Sequence, residues 1–131
     1  MNAFKRKWNN KSVEDMGSVM SKEANEFVDD FAKMLERQLG RDGVQVDIHS
    51  NHYDCSGFLE KDGKFIYVSY AMPRGERPID FSDSSPMNGV LFRAADGPHD
   101  YRGHINNFSS LQDLPRRILN MFEDYDRYRV G

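Results

Sequence analysis

The stretch YDCSGFLEKDGKFIYVSYAM, Tyr53 to Met72, sets Asp62-Gly63 between two runs of apolar residues. Asp-Gly suits a two-residue type I′ hairpin turn, because both central positions need positive φ. A turn of that kind fixes the register. Lys61 then opposes Lys64, Phe58 opposes Tyr67, Leu59 opposes Ile66, Gly57 opposes Val68 and Cys55 opposes Tyr70. Opposed residues share a face. One face is Tyr53, Cys55, Gly57, Leu59, Ile66, Val68, Tyr70 and Met72, almost wholly apolar, and is the core side. The other carries Asp54, Ser56, Phe58, Glu60, Phe65, Tyr67 and Ser69, polar at its ends with three aromatics in the middle.

Upstream, Val44, Val46 and Ile48 alternate with Gln45, Asp47 and His49, the pattern of a half-buried strand. Before it, Ala24, Phe27, Val28, Phe31, Leu35 and Leu39 recur at spacings of three and four, which predicts a helix over 21–39 with Ser21 as N-cap and Gly40 at C′. Downstream, residues 73–88 hold three prolines and many small polar residues and read as a long connection. Ile79 and Phe81 are its candidate anchors. Residues 89–95 read as a strand, Asp96-Gly97-Pro98 as a turn, and 100–105 as a weaker returning strand. Leu111, Leu114, Ile118, Phe122 and Tyr125 predict a helix over 111–126, with Pro115 confined to its first turn. The order α-βββ-ββ-α implies an α+β domain with a mostly antiparallel sheet of about five strands between an N-terminal and a C-terminal helix.

The chain has 131 residues, enough for one domain. Its net charge of −3 is unevenly placed. Residues 1–11 carry Lys5, Arg6, Lys7 and Lys11 and no acid, while the other 120 residues hold 14 bases and 21 acids. The reading is a basic flexible arm at 1–11 on an acidic domain at 12–131. No segment is apolar enough for a membrane helix, and the N-terminus lacks the apolar core of a secretory signal. The single cysteine, Cys55, excludes an internal disulfide and points to a reducing cytoplasm.

Four constellations bear on chemistry. Asp47, His49, His52 and Asp54 are metal-ligand types on one polar strand side, at a spacing that matches no strong metal motif; the ordinary reading is a solvated face. Cys55 has His52 and Asp54 nearby but lies on the core face, where a free thiol behaves as a small apolar residue. The acid-rich first long helix, with Glu23, Glu26 and Asp30, can imitate a phosphate backbone, or be an ordinary face in which Lys22 pairs with Glu26 and Asp29 with Lys33. The aromatic strip Phe58, Phe65 and Tyr67, with Tyr53 and Tyr101 placed to join it, fits an internal packing layer or a protein interface. Stacking of single-stranded bases also uses such a strip, but wants a basic surround.

No nucleophile is paired with a base, no glycine-rich phosphate loop is present, and no cofactor is implied. The sequence therefore leads to a non-enzymatic binding protein that engages a protein partner through Phe58, Phe65, Tyr67, Glu23, Glu26 and Asp30. Its narrower form is an inhibitor or accessory factor of phage or mobile-element type acting on a nucleic-acid enzyme. The alternatives are single-stranded nucleic-acid binding through Lys5, Arg6, Lys7, Trp8 and Lys11 together with the aromatic face, and a metal-dependent enzyme at Asp47, His49, His52 and Asp54.

Overall fold

A computed structural model describes residues 2–12, 22–51, 54–73 and 77–129. The elements are α1 (Asn2–Trp8), α2 (Lys22–Leu39), a 3-10 turn (Gly40–Asp42), β1 (Gln45–Asn51), β2 (Asp54–Lys61), β3 (Lys64–Ala71), β4 (Val90–Ala95), β5 (Asn107–Ser109), α3 (Leu114–Glu123) and α4 (Tyr125–Tyr128). The five strands form one antiparallel sheet in the order β1-β2-β3-β4-β5.

The β2–β3 hairpin carries the expected register, from Cys55 opposite Tyr70 to Lys61 opposite Lys64. Asp62 and Gly63 have φ of 52° and 78°, as the turn type requires. The alternation then sorts the side chains. Cys55, Leu59, Ile66, Val68 and Tyr70 are buried under the helices with Val90, Phe92 and Ala94 of β4. Phe27, Phe31 and Leu35 of α2 and Leu114, Ile118 and Phe122 of α3 close this core. Phe27 lies 5.7 Å from Tyr70, ring to ring, and the Arg117 guanidinium 5.1 Å from the Phe92 ring, so both helices cover the same sheet face.

Gly57 has a specific packing reason. A Cβ there would stand 1.9 Å from the Asp47 carbonyl oxygen and 2.8 Å from the Ile48 Cα. The backbone of β1 coils over β2 at this point, and any side chain would push the two strands apart.

Three expectations need correction. Residues 1–11 are not a free arm in their described part. Asn2–Trp8 is helical, and Phe4 and Trp8 are buried. Phe4 meets Phe27 at 5.7 Å and Phe81 at 5.2 Å, and Trp8 meets Phe27 edge-on at 5.2 Å. Two large aromatics one helical turn apart outweigh the solvation of four cations, because their burial removes a large apolar area from water. Lys7 of α1 reaches across to α2 and takes both Glu26 and Asp30; the side chain of Lys22 lies outside the described residues.

The returning strand is β5 at 107–109, not 100–105. The Asp100 carboxylate accepts hydrogen bonds from the N–H groups of Asp96, Arg102 and Gly103, and Gly103 has φ +57°. That network turns residues 96–103 into a compact loop. The last helix starts at Leu114 rather than 111 and breaks at Asp124. Ser110 Oγ accepts from the Asp113 N–H, which holds 111–113 as a turn before the helix. The N-cap expected at Ser21 lies outside the described residues.

The long connection is pinned as its apolar residues imply. Ile79 and Phe81 are fully buried. Ile79 exchanges backbone hydrogen bonds with Lys11 and Asn10, both at 2.7 Å, and the Phe81 N–H donates to Asn9 Oδ1. Around Ile79 and Phe81, within its described residues, this connection packs against α1 on the helical side.

Candidate functional site: an aromatic groove on the outer sheet face

The register aligns Asp47 of β1, Phe58 of β2, Tyr67 of β3 and Arg93 of β4 across the outer face. Phe58 and Tyr67, directly opposed, have ring centroids 5.3 Å apart. Tyr101 arrives from the β4–β5 connection and stands edge-on to both, at 5.5 and 6.1 Å. The Arg93 guanidinium sits 4.6 Å from the Tyr67 ring, a cation–π distance. It also donates to the Tyr101 carbonyl and to Asn106 Oδ1. Arg93 thus clamps the connection onto the sheet. Gly103 makes room for it, since a Cβ there would lie 2.6 Å from Arg93 Nε.

Further bonds hold the same connection. The His104 N–H donates to the Ala94 carbonyl, and His104 Nε2 lies 2.9 Å from Asp96 Oδ1. Arg129 reaches the same oxygen at 3.0 Å. These hydrogen bonds, from His104 first and Arg129 second, hold the Asp96 carboxyl below the usual aspartate value. The Asp96 and Gly103 N–H groups do the same for Asp100.

Between β1–β2 and this connection lies an open groove of about 320 Å³. Asp47, His49, Ser56 and Phe58 form one wall, and Pro98, His99 and Tyr101 the other. Tyr101 is 62% exposed, so one ring edge faces solvent while the other covers Phe58 and Tyr67.

The sequence-predicted residues are distributed unequally. Phe58 and Tyr67 sit at the centre of the groove's aromatic cluster. Phe65 is half-buried at the far end of β3, where the Tyr125 hydroxyl accepts its N–H at 3.1 Å. Glu26 and Asp30 lie on α2, on the other side of the sheet, and both are engaged by Lys7. Trp8 Nε1 donates to Asp30 Oδ2 at 2.9 Å. Burial pushes the Asp30 carboxyl up, but the hydrogen bonds from Lys7 and Trp8 bring it below its ordinary value. The side chain of Glu23 is outside the described residues.

The basic cluster is spread over contacts of its own. Lys5 donates to Gln112, and Lys7 and Lys11 lie 5.2 and 5.1 Å from the Trp8 ring. Trp8 is a core residue rather than a stacking platform. Arg6 is exposed on α1. The whole cluster lies on the helical side, away from the groove.

Asp47 and His49 face each other at 2.8 Å, both largely exposed. Asp54 begins β2 with Oδ1 buried and no hydrogen-bond partner among the described residues. His52 lies outside the described residues. Among the described residues, no three His, Cys, Asp or Glu side chains come together as metal ligands. Burial, followed by the charge of Asp54, pushes the Cys55 thiol up to about 12, the opposite of what a nucleophile needs.

Sequence reasoning missed Arg93 and Pro98 as groove residues. Arg93 opposes Tyr67 only through the β3–β4 register. No short hairpin joins those strands, so no local turn announces that register. Pro98 and His99 reach the groove through the fold of the 96–106 connection, which the Asp100 network sets.

Fold and site together define a small α+β domain with helices on one sheet face and an aromatic groove on the other. Compared with protein-family models, curated proteins and solved structures, the chain has no significant match. Among the described residues, no helix is long and apolar enough to cross a membrane.

Proposed function

We propose that this protein is a non-enzymatic binding module that engages a protein partner through the outer-face groove, with Phe58, Tyr67 and Tyr101 as its centre. One observation carries the reading: an exposed tyrosine stands edge-on to two half-buried rings, beside an open groove and over a clamped arginine. Aromatic and arginine side chains are the groups enriched at interface centres, where a pre-ordered ring loses little entropy on binding. The narrower form, an inhibitor or accessory factor directed at a nucleic-acid enzyme, draws on the acidic balance of residues 12–131.

The single-strand alternative needs its basic cluster and its aromatic strip on one surface. They lie on opposite sides of the sheet, which favours the protein partner.

The test is affinity capture at physiological salt with wild type and Tyr101→Ala in parallel. Tyr101 is exposed, so the substitution leaves the fold in place. Wild type is expected to retain a stoichiometric protein that Tyr101→Ala binds about tenfold or more weakly, as for an interface hot spot. Equal retention by both proteins, or salt-sensitive shifting of single strands without a protein partner, defeats the proposal.

A further inference from the structure

We infer that β1 is a self-association edge, at which two copies of this chain pair their β1 strands antiparallel about a two-fold axis at Ile48 and join two sheets into one. Asp47 and His49 also line the groove wall, but pairing along β1 asks nothing of Phe58, Tyr67 or Tyr101. The sheet has two edges. β5 is three residues long, one of the ways proteins blunt an edge. β1 is seven residues, Gln-Val-Asp-Ile-His-Ser-Asn, with no proline and no lysine. Its ladder to β2 runs through seven consecutive pairs without a bulge. Among the described residues, its backbone hydrogen bonds go to β2, and none is made on its far side. Alternate N–H and C=O groups of an edge strand point away from the sheet, ready to pair with another strand.

The side chains select the occupant. With the axis at Ile48, Asp47 of one copy opposes His49 of the other, twice over. Ile48 meets Ile48, Val46 meets Ser50, and Gln45 meets Asn51. Opposed residues share a face, so the two Asp–His pairs form on the outer face and the isoleucine pair on the core side. Moving the axis to Asp47 sets two carboxylates against each other. Moving it to His49 sets two imidazoles together. Only the axis at Ile48 sets Asp47 opposite His49, the complementarity that an isologous two-fold contact asks for. Ile48 and Val46 are only partly buried in the single chain, so pairing covers apolar surface left open. The existing Asp47–His49 contact is largely exposed, at 77% and 74%, so exchanging it for the intermolecular one costs little.

Sedimentation equilibrium over a concentration series tests this on the full chain. Wild type is expected to dimerise reversibly. Asp47→Lys removes both carboxylate acceptors, puts an ammonium in the place of each, and should weaken dimerisation about tenfold or more. Asp47→His combined with His49→Asp restores the complementarity and should recover wild-type dimerisation to within a few-fold. Both positions are exposed, and circular dichroism confirms that each variant is folded. A wild type that stays monomeric throughout overturns the inference. So does a dimer indifferent to Asp47→Lys, or one that the paired exchange does not restore. The Tyr101→Ala capture is read separately, so the two ideas fail independently.

Discussion

Replacing Gly57 by alanine adds one methyl group where the β1 backbone lies close against β2. The added Cβ would lie 1.9 Å from the Asp47 carbonyl oxygen, where ordinary contact begins at 3.4 Å. The strands must therefore separate locally by about 1.5 Å, close to a third of the usual spacing of about 4.8 Å. Two ladder hydrogen bonds beside Asp47 and Ile48 stretch past their useful range. At a net of about 1 kcal/mol each, with some loosening of α2 against β1, the cost is about 2–3 kcal/mol. The smaller conformational freedom of alanine in the unfolded chain returns about 0.4–1 kcal/mol. The net expectation is about 2 kcal/mol, or a fall in Tm of roughly 6–10 °C for a chain of this size. Urea unfolding followed by Trp8 emission and by circular dichroism gives the number. Gly97→Ala is the control, since nothing lies within 4 Å of its new Cβ; it should stay within about 0.5 kcal/mol of wild type. A Gly57→Ala protein as stable as Gly97→Ala would refute the close approach of β1 and β2.

Two further outcomes test the parts of the fold that hold α1 and the groove. Asp30 has its folded value depressed, so its contribution is complete above the ordinary aspartate value of 3.8 and is lost as pH falls through the lower folded value. Acid should accordingly loosen α1, seen as a red shift of Trp8, the single tryptophan; Asp30→Asn should be less stable at neutral pH and show a shallower acid slope, whereas an identical slope would remove Asp30 from the account. Gly103→Ala places a Cβ at φ +57° and 2.6 Å from Arg93 Nε, so about 1–2 kcal/mol should be lost and the near-UV circular dichroism of the Tyr67–Tyr101 pair should change; an unchanged spectrum would show that Arg93 does not clamp the connection.

The hairpin, the first long helix and the α+β order were legible because each rests on local chemistry. Asp62-Gly63 sets a turn, and a turn sets a register that no later event can shift by one residue without exposing Leu59, Ile66 and Val68. Spacings of three and four put Phe27, Phe31 and Leu35 on one stripe whatever they pack against. The 100–105 segment misled because its residues alternate passably, while the deciding interaction is a carboxylate that folds back on three N–H groups. In residues 1–11, four cations concealed two aromatics. A short stretch reveals its charge in sequence, but it reveals whether Phe4 and Trp8 find a cavity only when Phe27, Phe31 and Phe81 are in place.

The candidate site divides in the same way. Phe58 opposite Tyr67 follows from the turn between them, and so does their placement on the face away from the core. Tyr101 above them, Arg93 beneath it and the groove toward His49 and His99 depend on contacts that cross the sheet. Glu26 and Asp30 read as acids of a solvated helix face and became partners of Lys7, with Asp30 also taking the Trp8 Nε1–H. Sequence by itself determined which residues alternate, which share a stripe and which turn is tight, since these are set by backbone geometry over a few bonds. Tertiary structure alone decided which charges are neutralised, which loop covers which face and what lies open, because those depend on distances between residues far apart in the chain.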